Sequence, residues 1–333
     1  MLRYSFVMKL DSLGERDADT VIVMFCGKGG VGKTTCASST AIHYAEAGRR
    51  TLLISTDPAP SLTDILGVDV KGKNTDVPGV ENLEAVELDY TRVFDMWMDK
   101  FGEEVYAVIS SFLPVGDEIL DYIAGAPGID EEFALSYVHD LYKGGEYDVI
   151  VWDTAPAGGT LSLLYLQETF YTHMRDAAKL YIRLKETLES LTGREKRDPL
   201  KIIREWEQLA KDVLDMIRAE NTTAYLVTIP EGLGVSQTER IKHDLEKFDV
   251  HIGGIIVNNV IPPEADTGSE LLTKRIKVQE KYVKMLEETY SGWLPLVKLP
   301  LQGYEVIGIE ALRDIGRQLY SDGFTAQGSS RET

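Results

Sequence analysis

The sequence predicts an α/β fold, a doubly wound and mostly parallel sheet with an inserted α-helical subdomain, and three observations predict it. Short apolar runs recur at Val21 to Phe25, Thr51 to Ser55, Asp148 to Trp152, Ala224 to Thr228, Ile252 to Val257 and Leu294 to Leu299. Most of them lack polar alternation, as strands buried on both faces do. Stretches of helical periodicity separate the runs, and a repeated β-α order implies a parallel sheet with helices on both sides. A glycine-rich stretch, CGKGGVGKTTCASSTAIHYA, joins the first run to the first helix.

Taken in order, the first element is the strand Val21 to Phe25, and the glycine-rich turn after it satisfies G-x-x-x-x-G-K-[ST] through Gly27, Gly32, Lys33 and Thr34. The strand-to-helix setting is the one this pattern requires, so the chain reads as a P-loop NTPase. Glycines allow a tight loop with its N–H groups turned inward, and the helix starting near Lys33 adds a positive N-terminal dipole. Lys33 would neutralise the β and γ phosphates and the Thr34 hydroxyl would ligate Mg²⁺. Lys28, a second lysine that such a loop does not need, is either a solvated rim charge or a functional group.

The run Thr51 to Ser55 leads into STDPAPSLTDIL. Asp57 therefore stands at the carboxyl end of a strand, where ligands bind in open α/β sheets. There an acid can orient or deprotonate water, although an Asp before Pro58 is also a turn former. Val93, Trp97, Phe101, Val105, Val108 and Phe112 then keep a spacing of three or four residues, a helical stripe. The strand in EYDVIVWDTAPAGGTLSLL ends at Asp153, placed to hold Mg²⁺ directly or through water. Gly158 and Gly159 leave the following loop free to sense a γ-phosphate.

A second helical segment follows, with Tyr181, Leu184, Leu188 and Leu191 on one stripe and Ile202, Trp206, Leu209, Val213 and Met216 on another. The polar stretch Gly193 to Pro199 lies between them, so the pair predicts a helical hairpin. The stripes of both inserted segments, which together contain Met96, Met98, Met174 and Met216, face either a core or a binding groove. The expected division is an ATPase core over 20–90, 128–165 and 221–320, a helical subdomain over 91–127 and 166–220, and a flexible polar tail over 321–333.

Composition narrows the function classes. With 44% hydrophobic residues in 333, the chain has ample material for a core, so wholesale disorder is excluded. A net charge of −19 repels nucleic-acid phosphates, and no nucleic-acid partner is expected. Only two cysteines occur, Cys26 and Cys36, which fits a reducing compartment. The first twenty residues form no signal-peptide apolar region and no run of 18 apolar residues occurs, so a cytoplasmic protein is expected.

GKGGVGKTT, LLISTDPA, PGIDE, YDVIVWDTAP, IIVNNV and PLQGYEVIGIEAL follow one another in order. Together they resemble the arsenite-pump ATPase and tail-anchored-protein targeting ATPase family over roughly residues 20 to 320. The resemblance implies an ATP hydrolase with a deviant Walker A loop, acting as a homodimer that nucleotide opens and closes. It assigns Lys28 to a contact across the dimer with the partner's nucleotide, and Gly29, Gly30, Val31, Gly32, Lys33, Thr34 and Thr35 to the phosphates. It assigns Asp57 to water activation, Glu231 and Asn258 to nucleotide contacts, and the segment Pro300 to Ile307, with Pro300 and Leu301 at its start, to closure over the base. IIVNNV lacks the Asn-Lys-x-Asp pattern a guanine site would want, so ATP and ADP are the expected ligands.

The departures from the family pattern carry weight. The expected CxxC before the last helices is absent, with Ser269 to Leu272 in its place, so no thiolate zinc site is expected. Cys26 and Cys36 flank the phosphate loop rather than clustering for a soft metalloid, and read as small buried residues. DTAPTGHT is here DTAPAGGT, with Ala157 and Gly159, and the histidine of STDPAH is Pro60. The expected function is a Mg²⁺-dependent ATPase that binds the transmembrane helices of tail-anchored proteins and brings them to a membrane receptor. Two alternatives stand beside it, a nucleotide-timed binding or assembly module and the energising subunit of an arsenite-type anion pump.

Overall fold

A computed structural model describes residues 20–57, 61–88, 98–106, 129–155, 199–266 and 268–320, together with Met96, Tyr165 and Thr172. The strands are β1 (Val21–Gly27), β2 (Thr51–Ser55), β3 (Thr75–Asp76), β4 (Leu83–Glu87), β5 (Val149–Asp153), β6 (Thr222–Thr228), β7 (Ile252–Val260) and β8 (Leu296–Pro300). The helices are α1 (Lys33–Glu46), α2 (Leu62–Leu66), α3 (Ile129–Gly144), α4 (Pro199–Arg218), α5 (Gly232–Lys247), α6 (Glu270–Tyr290) and α7 (Ile309–Tyr320).

The strands form one eight-stranded sheet in the order β3-β4-β2-β5-β1-β6-β7-β8. Every pairing is parallel except β3 with β4. Each α/β sheet face needs a cover, and here two separate cores supply it. On one face Met24, Ile54, Trp152 and Leu226 pack with α3, α4, α5 and α6 through residues such as Val138, Met216, Ile241 and Leu286. On the other Phe25, Leu53, Val151 and Ile256 pack with α1, α2 and α7 through Ile42, Leu62 and Leu312. Adjacent β1 residues thus enter opposite cores, which is why the apolar runs do not alternate with polar residues.

The six predicted strands are present, with small shifts at their ends. β5 runs one residue further, to Asp153, and β8 begins at Leu296, while Leu294 is buried just before it. β3 and β4 are additions to the predicted set. In β4, LEAVE carries two glutamates, and Glu87 is nonetheless buried, so charge at the strand end masked an otherwise apolar segment.

Residues 98–106 are helical and Val105 is buried, as the first stripe predicts for that part. In α4 Ile202, Val213 and Met216 are buried against the core, while Trp206 and Leu209 are partly buried beside it. Val93, Trp97, Val108, Phe112, the stripe Tyr181 to Leu191, Met174, Pro60, Ala157, Gly158, Gly159 and the tail lie outside the described residues. No helix among the described residues is long and apolar enough to cross a membrane.

Candidate active site

Parallel pairing brings the carboxyl ends of β4, β2, β5, β1, β6, β7 and β8 to one edge of the sheet. In register across four strands, Glu87, Ser55, Asp153 and Phe25 form a row. Two residues further along β1, Gly27 is paired with Val227.

The loop between β1 and α1 rises from this row. A Cβ at Gly27 would stand 2.3 Å from the Val227 carbonyl oxygen, so the approach of β1 to β6 requires glycine here. Gly30 and Gly32 have φ of +77° and +96°, and Gly32 is the residue from which α1 starts. No side chain hydrogen-bonds to cap α1 and its first turn holds no acid. Its leading N–H groups and dipole are therefore arranged for an external anion. Gly29 and Gly30 are exposed, Lys28 is half-buried, and Val31 is buried beneath the loop.

Lys33, only 4% exposed, holds its Nζ 3.9 Å from Asp57 Oδ2. Thr34 Oγ1 donates to Asp153 Oδ2 at 2.7 Å, and the Ser55 hydroxyl donates to the same oxygen at 3.2 Å. Asp153 is fully buried and its Oδ1 has no hydrogen-bond partner. Burial pushes its carboxyl up to about 6, against which the Thr34 hydrogen bond, the Lys33 charge and the Ser55 hydrogen bond act, while Asp57 adds to the rise. Thr35 stands half-buried in the first turn of α1.

An orphaned carboxylate oxygen beside a threonine hydroxyl fits a hard cation. No group of three or more His, Cys, Asp or Glu side chains suited to a metal occurs among the described residues. A cation between Thr34 and Asp153 would complete its shell with phosphate oxygens and water, the usual arrangement for Mg²⁺.

Asn258, near the end of β7, donates from Nδ2 to the Val31 carbonyl at 2.9 Å and so touches the phosphate loop directly. Glu231 stands at the N-cap of α5, where its carboxylate pairs with Arg275 of α6 at 3.5 Å, both side chains more than half exposed. Pro300 ends β8, and Leu301, half exposed, donates its N–H to the Val260 carbonyl at 2.8 Å. Tyr304 and Ile307 follow, also about half exposed. The structure thus pairs Lys33 with Asp57 and Thr34 with Asp153, ties Asn258 to the phosphate loop through the Val31 carbonyl, and sets Glu231, Pro300 and Leu301 along the same edge.

Cys26 and Cys36 are both fully buried, in the cores on opposite faces of the sheet, and burial raises their thiols to about 11 and about 12. Both are inert small side chains in this state. Ser269 is the N-cap of α6 and supplies no soft ligand. Sequence reasoning did not select Ser55, Ser61 or Glu87. Ser55 and Ser61 lie in the STDPAPS stretch already singled out for Asp57, so only Glu87 required the sheet register to be found.

Comparison with known proteins places this site in a family. Residues 20–321 match the model of the anion-transporting ATPase family. The chain is 32% identical to "ATPase ASNA1 homolog 1" of Paramecium tetraurelia, over 86% of this chain and 88% of that one. It is 32% identical to "ATPase get3" of Pyrenophora tritici-repentis, covering 88% and 89%. With the "Putative arsenical pump-driving ATPase 1" of Aquifex aeolicus the identity is 31%, covering 90% and 79%. A phosphate loop, an adjoining aspartate and a family match over nearly the whole chain converge: the protein belongs to the anion-transporting ATPase family and is an ATP hydrolase.

Proposed function

We propose that this ATPase is a nucleotide-gated homodimer that uses Mg²⁺-ATP to bind and target the transmembrane helices of tail-anchored membrane proteins. The observation that carries the chemical part is the cluster of Lys33, Thr34, Asp57 and Asp153 around one phosphate loop. The loop N–H groups of Gly29 to Gly32 and the α1 terminus hold the phosphates, with Thr35 behind them. Lys33 neutralises charge on the γ-phosphoryl group as its bond to the β-phosphate oxygen breaks. Mg²⁺, held by Thr34 and, through water, by Asp153, would add further charge stabilisation there. Asp57 orients the attacking water and takes its proton as the new P–O bond forms. Lys28 reaches the nucleotide of the partner subunit, Glu231 and Asn258 contact the nucleotide, and Pro300 and Leu301 begin the segment over the base.

The client part rests on the resemblance to targeting ATPases and on relatives named "ATPase get3" and "ATPase ASNA1 homolog 1" at about one-third identity over most of both chains. The helical subdomain over 91–127 and 166–220 supplies the groove, and the buried, inert cysteines disfavour a metalloid-driven pump.

The test is Asp57→Asn with ATP and Mg²⁺. It keeps ATP bound and lowers turnover by about 10²- to 10⁴-fold, as loss of a general base does. Co-expressed with a protein ending in a transmembrane helix, it retains a soluble complex that a charge at Trp97 abolishes. Unchanged turnover removes Asp57 from the mechanism. No complex, with dimerisation still ATP-dependent, transfers the function to a nucleotide-timed assembly module.

A further inference from the structure

Glu87 closes β4 with a carboxylate that is 2% exposed, in a part of the sequence that carries no recognised motif. Burying such a group is costly unless its lone pairs are engaged, and here three donors engage them. Oε1 accepts the N–H of Ser61 at 2.7 Å and of Leu62 at 3.0 Å, and Oε2 accepts the Thr63 hydroxyl at 2.9 Å. All three donors lie four to six residues after Asp57 in the sequence. The Ser61 hydroxyl lies in turn 3.2 Å from Thr34 Oγ1, the atom that donates to Asp153. Because Thr34 spends its proton on Asp153, Ser61 is the donor in that contact, and the second lone pair of Thr34 stays available to a cation.

The other end of the same segment is also held. Asp57 N–H donates to the Ser55 hydroxyl at 3.4 Å, and the neighbouring Thr56 hydroxyl accepts from Trp152 Nε1 at 3.0 Å. Three residues separate Asp57 from Ser61 in the sequence, and each of the two is held by hydrogen bonds of its own. The register Glu87↔Ser55↔Asp153 gives this clamp a rigid base, since all three are strand-end residues of one paired row.

We propose that Glu87 is a positioning residue for ATP hydrolysis, holding Ser61 so that its hydroxyl keeps the Thr34–Asp153 pair in one geometry. A carboxylate serving only to stabilise the start of α2 would affect folding without a selective effect on the chemical step. The inference rests on the reading of Lys33, Thr34 and Asp57 given above.

Steady-state ATPase kinetics, ADP affinity and Mg²⁺ titration of the full chain test it. Glu87→Ala is expected to lower kcat about 10- to 100-fold, the cost of a displacement near 1 Å. KM and ADP affinity should stay within about three-fold, because the lost geometry matters in the transition state. Half-maximal turnover should require more Mg²⁺. Glu87→Gln keeps an oxygen for the two amides and an NH₂ group for the Thr63 hydroxyl, and should recover most of the rate. Ser61→Ala keeps the backbone N–H that Glu87 accepts but removes the hydroxyl beside Thr34, so it should lower kcat as well, and the double variant should lose no more than the worse single one, since both act through that hydroxyl.

Wild-type kcat in Glu87→Ala would overturn the proposal, as would equal losses in the Ala and Gln variants or losses that multiply in the double variant. Should Glu87→Ala not fold, unchanged kcat and Mg²⁺ requirement in Ser61→Ala overturns it instead. Lys33→Ala separates the two levels. ATP binding that survives it removes the site reading and this inference together, whereas binding that is lost beside normal Glu87 variants removes the inference alone.

Discussion

Replacing Gly27 by alanine tests whether the phosphate loop is set by its contact with β6 or only by its own flexibility. The new Cβ would lie 2.3 Å from the Val227 carbonyl oxygen and 3.0 Å from Val31 Cγ2. Ordinary carbon contacts begin near about 3.5 Å, so relief needs a displacement of about 1 Å. Val227 is a paired backbone residue of β6 in register with Gly27, and it cannot rotate away as a side chain would. Overpacking of this kind costs about 1–3 kcal/mol, and shifting the loop by about 1 Å costs about 10²-fold in kcat/KM. Gly30→Ala is the control. Its φ of +77° makes alanine strained by about 1–2 kcal/mol, but nothing lies within 4 Å of the added carbon. Urea unfolding should therefore show similar stability losses in the two variants, while ATPase assays show a loss at least about tenfold larger for Gly27→Ala. Equal losses of turnover, or normal ATP binding in Gly27→Ala, would refute the steric argument.

Two further outcomes follow from the site. Asn258→Ala deprives the Val31 carbonyl of its 2.9 Å donor, so calorimetry should show weaker ADP binding and unfolding should show a loss of about 1 kcal/mol. Asp153 has a folded carboxyl raised to about 6, above its ordinary value of 3.8, so the folded state holds the proton more tightly than the unfolded one. That contribution to stability is present below about pH 4, falls as pH rises to about 6, and leaves a constant penalty of about 3 kcal/mol above it. The stability difference between Asp153→Asn and the native protein, measured without Mg²⁺, should grow over that window and level off near neutrality. A difference that is flat from pH 4 to 7 would show that burial does not govern Asp153.

The fold was readable because the six runs behave as strands buried on both faces, a condition that leaves a continuous apolar signature. β4 escaped notice for the opposite reason, since a glutamate at a strand end looks polar until the register shows it buried among donors. Within the site, Lys33, Thr34, Asp57 and Asp153 were readable from local spacing, because each lies at a strand end or in the turn and helix start that follow one. Asn258 was assigned to the nucleotide by resemblance, and only the structure shows its amide engaged with the Val31 carbonyl, 227 positions away in sequence. Glu231 is engaged with Arg275, a pairing between two helices that no local pattern encodes.

Asp153 leaves this edge of the sheet with an acceptor for a ligand to engage. Two hydroxyls and a lysine partly offset the burial of its charge, yet all the hydroxyl donation falls on Oδ2 and none on Oδ1. A fold selected for stability alone would satisfy that second oxygen or replace the carboxylate, since a buried acceptor without a donor costs about 1–3 kcal/mol. A ligand that engages Oδ1 relieves this cost, so its binding free energy includes the relief. The same ligand must approach Thr34, whose oxygen already accepts from Ser61, and Ser61 is tied to the Glu87 carboxylate. Thr34, Ser61 and the Glu87 carboxylate are therefore linked through one hydroxyl. Changes at Asp153 should accordingly alter Mg²⁺ dependence and the effect of Glu87 substitution together.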